Sequence, residues 1–310
     1  MDRKKFKKNI IDIGKDILLA FTVVAIIMLA LFAYCGIWPP MVVVESGSMQ
    51  RYDERSIVGA IDTGDMVFVK TVDNSADLVT YVDGEMTGHT RYGNFGDVII
   101  YRPNGDAEKV PIIHRAVVWL EVNDTLVSPT HVGIDHANYT FDVPSLGLYG
   151  TTEDIVLSNY GFWDDEVTIS LQNLLNYYNF TDKVPHGGFI TMGDHNAPTY
   201  DQPGYEPVLP DWIVGKAIGE IPWFGLIKLK VTGTAPADAP RNSWNNLFIT
   251  VFILLLVPFL FDYYAPKIMQ KRKTKKEEQA RAKKLENSDE KSGEAPPDDG
   301  QPKISDKKTE

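Results

Sequence analysis

Residues Ile17 to Trp38 read ILLAFTVVAIIMLALFAYCGIW, twenty-two consecutive positions without a charged side chain. As a helix rising 1.5 Å per residue this run is roughly 33 Å long, enough for the hydrocarbon core of a bilayer. Such a run restricts the fold, because in lipid a single segment satisfies its own backbone groups only as a helix. A cleaved export signal is the competing reading. Its apolar stretch is shorter, about 7–15 residues, and ends in small side chains. Here the run ends in Gly36-Ile37-Trp38-Pro39-Pro40, with bulky residues where cleavage requires small ones. The expectation is a retained membrane anchor over residues 17–38.

A second uncharged run of eighteen residues spans Trp244 to Phe261. A buried core helix is the alternative here, since the strongly apolar part covers only Leu247 to Phe261, and Pro258 would kink it. The flanks favour a membrane. Arg3, Lys4, Lys5, Lys7 and Lys8 precede the first run, and Lys267, Lys271, Arg272, Lys273, Lys275 and Lys276 follow the second. Clustered bases stay on the cytoplasmic side, so both ends are expected there and residues 39–243 outside. The assignment is a basic cytoplasmic segment over 1–16, spans over 17–38 and 244–265, and a cytoplasmic tail over 266–310. That tail is polar after Lys276 and too poor in large apolar residues to offset ordering entropy, which predicts disorder beyond a helical turn or two through Glu277–Leu285.

The charge distribution supports this division. The whole chain carries −11, whereas residues 17–261 hold twelve basic and twenty-eight acidic side chains. A body this acidic repels phosphate, which excludes nucleic acid as a partner. The lone cysteine, Cys35, permits neither an intrachain disulfide nor a cysteine-based metal site. No cofactor and no metal are expected.

Between the anchors, short apolar or alternating runs bounded by turn residues predict a mostly β body, with strands at Met41–Val44, Met66–Lys70, Val98–Arg102, Ile112–Leu120, Phe189–Met192 and Ile213–Ile218. Gly64-Asp65, Gly96-Asp97 and Gly193-Asp194 read as turn punctuation, with glycine supplying unusual φ and aspartate bonding its own backbone. Residues from about 121 to 185 show no repeated strand signal and read as an inserted subdomain with a short helix over Leu171–Phe180. Sequons at Asn123, Asn138 and Asn179 permit glycosylation without arguing for it.

Four stretches carry candidate chemistry: Val44-Glu45-Ser46-Gly47-Ser48-Met49, Ile112-Ile113-His114-Arg115, Thr191-Met192-Gly193-Asp194-His195-Asn196 and Tyr200-Asp201-Gln202. Each alone reads as a turn, an interior histidine or a loop. Together they supply a nucleophile, a base and a carboxylate in one outward-facing body. Serine attacks only when a base takes its proton, and the base works best when a third group fixes its tautomer. Histidine suits that task near neutral pH.

In order and spacing these stretches resemble type I signal peptidases, in the archaeal and endoplasmic-reticulum branch that uses histidine where bacterial members place lysine. The family's S-G-S-M motif matches Ser46–Met49, its two G-D strands match Gly64–Val67 and Gly96–Ile99, and its last box matches Thr191, Gly193, Asp194, Asn196 and Asp201. The resemblance covers about residues 17–70, 94–118 and 187–220. It implies a signal-peptidase-like β catalytic domain carrying an insertion and flanked by two transmembrane helices. Ser48 is then the nucleophile and His114 the base, with Ser46 helping the oxyanion and Val42, Val44 and Ile113 lining shallow apolar pockets for substrate. Asp201 is favoured as the acid that orients His114, with Asp194 as a required structural acid capping its turn; the alternative gives the orienting role to Asp194. Met192 stands where the family has lysine, His195 where it has asparagine, and Asp201 lies one residue further from Asp194 than the family spacing. His195 reads as a polar loop residue or, less favoured, a second base. The implied partners are signal-peptide-bearing preproteins, the lipid bilayer and the protein translocation channel. The implied location is an archaeal plasma membrane, or the endoplasmic reticulum membrane in a eukaryote. Two rivals stand beside this reading: a non-enzymatic surface module that binds a partner, and a dedicated processing peptidase in which the insertion restricts the substrates.

Overall fold

The computed structural model describes residues 3–123, 139–202, 204–234 and 238–292. Two compact units are distinguished, Met1–Leu247 and Phe248–Glu310. Among the described residues, two helices are long and apolar enough to cross a membrane by length and composition.

The first helix, α1, runs Arg3–Cys35 and contains an apolar stretch, Ile13–Cys35, with a mean hydropathy of 2.8. It ends three residues before the expected boundary at Trp38. Gly36 takes a left-handed φ of +74° and returns its N–H to the Phe32 carbonyl at 2.9 Å, a helix stop that glycine adopts at low cost. The Cys35 carbonyl accepts from the Thr71 N–H at 2.8 Å, which ties the end of α1 to the start of the β body.

That body is one antiparallel sheet with short helices around it. Its strands are β1 (Met41–Val43), β2 (Met66–Lys70), β5 (Val98–Tyr101), β6 (Ile112–Asn123), β7 (Thr140–Val143), β8 (Leu148–Thr151), β11 (Gly188–Met192) and β12 (Ile213–Ile221). The order is β1-β2-β12-β5-β6-β7-β8, and β11 pairs separately with β6. Two small ribbons lie outside it: β3 (Thr90–Arg91) with β4 (Asn94–Phe95), and β9 (Ile155–Tyr160) with β10 (Asp165–Ile169). All six expected strands form, within a few residues of their expected ends. Strand β2 shows why, because MVFVK alternates half-buried and buried side chains along its length.

One sequence expectation is corrected between residues 121 and 185. This region is not poor in strands: β6 extends to Asn123, and β7 to β10 follow. It also packs directly on the rest of the body. Phe141, Ile155, Val167, Leu171 and Tyr178 share one buried cluster with Val117 and Val118 of β6 and with Ile190 and Met192 of β11. Strands β7 to β10 are only four to six residues long and are broken by turns, which leaves too little alternation to read from sequence. The expected helix is α3, Leu171–Thr181, with its Ser170 hydroxyl accepting the Asn173 N–H as an N-cap. A second helix, α2 at Tyr81–Thr87, was not foreseen. Thr80 caps it, and its single pair of turns gives too short a pattern to read.

Helix α4 covers Gly225–Thr232. Helix α5, Ser243–Ser292, spans the junction of the two units and continues through Pro258 and Pro266. It therefore carries helix past Leu285, where disorder was expected. A sequence rich in Lys, Glu, Gln and Ala extends an existing helix readily, because elongation avoids the cost of nucleation. Residues 293–310 and the sequon Asn138 lie outside the described residues. Asn179 is exposed on α3, and Asn123 ends β6 with its amide donating to Asp142 at 3.4 Å.

Candidate active site

Ser48 sits in the tight turn that follows β1. The turn is anchored on both sides: the Val44 N–H donates to the Asp65 carbonyl at 3.0 Å, and the Gln50 N–H donates back to Gly47 at 3.1 Å. The Ser46 and Ser48 hydroxyls are 3.4 Å apart. Among the described residues no acceptor takes the Ser48 N–H.

His114 comes from β6, where its backbone lies opposite Ile99 of β5, one residue beyond the end of the β11 pairing at Arg115. Its Nε2 lies 2.9 Å from Ser48 Oγ, and its Nδ1 lies 2.7 Å from Asp201 Oδ2. The His114 side chain is 8% exposed and that of Asp201 9%, so the pair is shielded from water but still reachable. Asp201 follows β11 on a loop pinned by its own N–H, which donates to the Thr191 carbonyl at 2.9 Å.

The same Asp201 oxygen also accepts from the Tyr101 hydroxyl at 2.8 Å and the Thr191 hydroxyl at 2.6 Å. Burial, and then the adjacent Asp201 carboxylate, push the Tyr101 hydroxyl well above the usual phenol range, so it stays protonated and donates. Three donors on one oxygen fix the orientation of the carboxyl group. Tyr101 and Thr191 were not singled out from sequence as partners of a carboxylate. Tyr101 closes a run of buried residues, VIIY, and reads there only as core.

Asp194 does something other than cap its turn. It pairs with Arg115, whose Nε donates to Oδ1 at 2.7 Å while Nη2 donates to Oδ2. Arg115 Nη1 donates to the carbonyls of Phe95 and Gly96, both at 2.9 Å. Burial opposes the guanidinium charge, but the Asp194 charge and hydrogen bonds outweigh it and hold Arg115 above its ordinary value. The other Gly-Asp pairs follow the same pattern. Asp65 accepts the N–H of Trp223 at 2.8 Å. Asp97 accepts from His89 at 2.9 Å and Lys216 at 3.0 Å. The glycines turn the chain, with φ of +95° at Gly64 and +75° at Gly96, while the aspartates bind segments far away in sequence.

Gly193 permits the closest approach in the site. A Cβ there would stand 2.4 Å from the Ser48 carbonyl oxygen and 2.9 Å from His114 Nε2, so any side chain would separate the two loops. The next residue but one completes the join, with the His195 N–H donating to the Ser48 carbonyl at 2.9 Å. The His195 ring turns outward to Asp53, 3.2 Å away. Met192 is fully buried in the apolar cluster, which accounts for an uncharged residue at that position.

An apolar groove of about 890 Å³ leads to Ser48, with Val42, Val44, Ile113 and His114 in its walls. One wall is β1, an edge strand that among the described residues pairs only with β2, so that its other edge can take an added strand. The described residues contain no cluster of three or more histidine, cysteine or acidic side chains arranged to hold a metal ion.

The chain matches no protein-family model and no curated protein.

Proposed function

We propose that this chain is a membrane-anchored serine endopeptidase, similar to type I signal peptidases, that cleaves preproteins held in the bilayer by an apolar segment. The observation carrying this reading is the unbroken relay from Ser48 Oγ through both His114 nitrogens to Asp201, placed at the head of an apolar groove with an open strand edge. A substrate segment lies extended along β1, and Ser48 attacks its scissile carbonyl while His114 Nε2 takes the proton. Asp201 holds the tautomer that leaves Nε2 free to accept and stabilises the imidazolium that forms. The Ser48 N–H and the Ser46 hydroxyl face the developing oxyanion. His114 then gives its proton to the departing nitrogen, and water, activated by the same base, releases the acyl group. No cofactor is required.

The basic flanks of the two apolar helices support a topology with both termini cytoplasmic and the β body outside. That arrangement keeps the groove near substrates whose own apolar segment sits in the same membrane, with the translocation channel as their source. The acidic body leaves no role for nucleic acid.

A narrower substrate range is the second reading, favoured by one contact. Trp163, in the β9–β10 turn of the inserted region, packs edge-on against Tyr52 at 5.6 Å, four residues from Ser48. The test is incubation of the detergent-solubilised full chain with a model preprotein, beside Ser48→Ala and a serine-directed acylating probe. Cleavage and labelling that both vanish in Ser48→Ala support the proposal. Labelling of Ser48 with cleavage only of selected surface proteins supports the narrower reading. No cleavage and no labelling leave a non-enzymatic surface module.

A further inference from the structure

Ser48 lies where two cavities of opposite character meet. On one side is the apolar groove. On the other is a cleft of about 440 Å³ whose walls include Gln50, Asp53, Asn196 and Asp238. Ser46, Ser48 and Asn196 border both spaces, so a chain extended across the serine passes from one into the other.

The second cleft is acidic. The Asp53 side chain is 71% exposed, and Asp238 is exposed as well. Among the described residues the one basic group in its wall is His195, whose Nε2 is 3.2 Å from Asp53 Oδ1, where the Gln50 amide also donates at 3.1 Å. Nearby cations are engaged elsewhere. Arg51 stacks over the Phe162 ring at 4.6 Å, Arg55 over the Tyr52 ring at 5.0 Å, and Arg241 pairs with Glu54 at 3.2 Å.

We infer that this cleft is a subsite for the leaving side of the substrate and that it selects cationic side chains in the first two residues after the scissile bond. The inference rests on the peptidase reading above and adds a specificity to it. The polarity of the two cavities sets the direction. The apolar groove suits the segment that remains on the acyl side, and the polar cleft suits the soluble chain that departs. When the C–N bond breaks, the acyl carbon stays on Ser48 Oγ, His114 delivers its proton to the nitrogen, and the new amino terminus leaves past Asp53. A lysine or arginine there meets one or two carboxylates across a partly hydrated gap. An acidic residue meets like charge.

The test uses the full chain in detergent and three preproteins that differ only in the two residues after the cleavage site: Lys-Lys, Ala-Ala and Glu-Glu. The readout is the ratio of kcat/KM between substrates, so that a general loss of activity in a variant cancels. The Lys-Lys substrate is expected to exceed Glu-Glu by about fivefold at low salt, the size given by a pair of partly exposed ion pairs. Asp53→Asn combined with Asp238→Asn reduces the ratio to below about twofold, and Asp53→Lys, which sets a cation against the remaining Asp238, also removes the preference. Salt near 1 M suppresses the parent preference, since the Debye length there is about 3 Å. Equal cleavage of all three substrates by the parent, or a preference that survives in the double variant, overturns the subsite while leaving the peptidase reading intact. Absence of cleavage above the Ser48→Ala background overturns the peptidase reading and the subsite with it.

Discussion

Asp194→Ala removes the carboxylate from the most deeply buried ion pair in the β body. The Arg115 side chain is 0% exposed, and two of its three guanidinium nitrogens donate to Asp194. The third, Nη1, is shared between two backbone carbonyls and keeps both. The substitution therefore strands a full positive charge and two donors in a site closed off from the surface. Arg115 cannot escape by shedding its proton, because a guanidinium stays charged at any accessible pH. Breaking a buried pair from one side costs about 3–5 kcal/mol, against a total stability of about 5–15 kcal/mol for a domain. This exceeds the cost of a lost turn cap, which is about 1 kcal/mol. Asp194→Asn keeps an acceptor but not the charge and should lose about 1–3 kcal/mol. The assay is urea titration of the full chain in detergent, followed by tryptophan fluorescence. Replacing both partners, as Arg115→Met with Asp194→Leu, should recover much of the loss, because the desolvated charge is gone. A cost for Asp194→Ala below about 1 kcal/mol, or a double variant as unstable as the two single losses added together, would refute this account of the pair.

Asp201→Asn presents an amide to His114 Nδ1 and favours the tautomer with its proton on Nε2, so turnover of a model preprotein should fall by about 10⁴-fold with little change in unfolding midpoint; activity within tenfold of the parent removes Asp201 from the relay. Tyr101→Phe deletes one of the three donors on Asp201 Oδ2 and should lower kcat by about tenfold and shift the pH profile of kcat/KM, at a stability cost of about 1 kcal/mol; an unchanged profile makes Tyr101 merely structural. His114→Lys should be inactive near pH 7, since a pocket shaped for imidazole leaves the amine protonated; full activity there would mean that the pocket and not the side chain defines the base. Burial pushes the Asp65 carboxyl up to about 8 and the Glu220 carboxyl to about 7. The native state thus holds protons that the unfolded chain has released, and this contribution to stability, complete below about pH 4, is lost as pH rises toward 7–8, at up to about 1.4 kcal/mol per pH unit per group. The melting temperature should fall between pH 5.5 and 8, and a rise over that range contradicts the assignment.

What the sequence by itself determined follows from short-range rules. The two apolar runs read as helices long enough to cross a membrane, and the strands at β1, β2, β5, β6, β11 and β12 were legible because alternation and turn residues act locally. Ser48, His114 and Asp201 could be proposed as a set from order and residue type. Tertiary structure decided which carboxylate meets which base. Asp194 and Asp201 are seven positions apart in one polar stretch and look alike in sequence. The register of β11 against β6 places Met192 opposite Arg115 and Thr191 opposite Ala116, and the loop beyond then delivers Asp194 to Arg115 and returns Asp201 beside Thr191. The donors on Asp201 come from β5, β6 and β11, and no local pattern announces a contact between residues a hundred positions apart. The inserted region was misread for a related reason. Its short strands gain their stability from the shared cluster with Val117 and Ile190, and burial against distant residues leaves little periodicity in the segment itself.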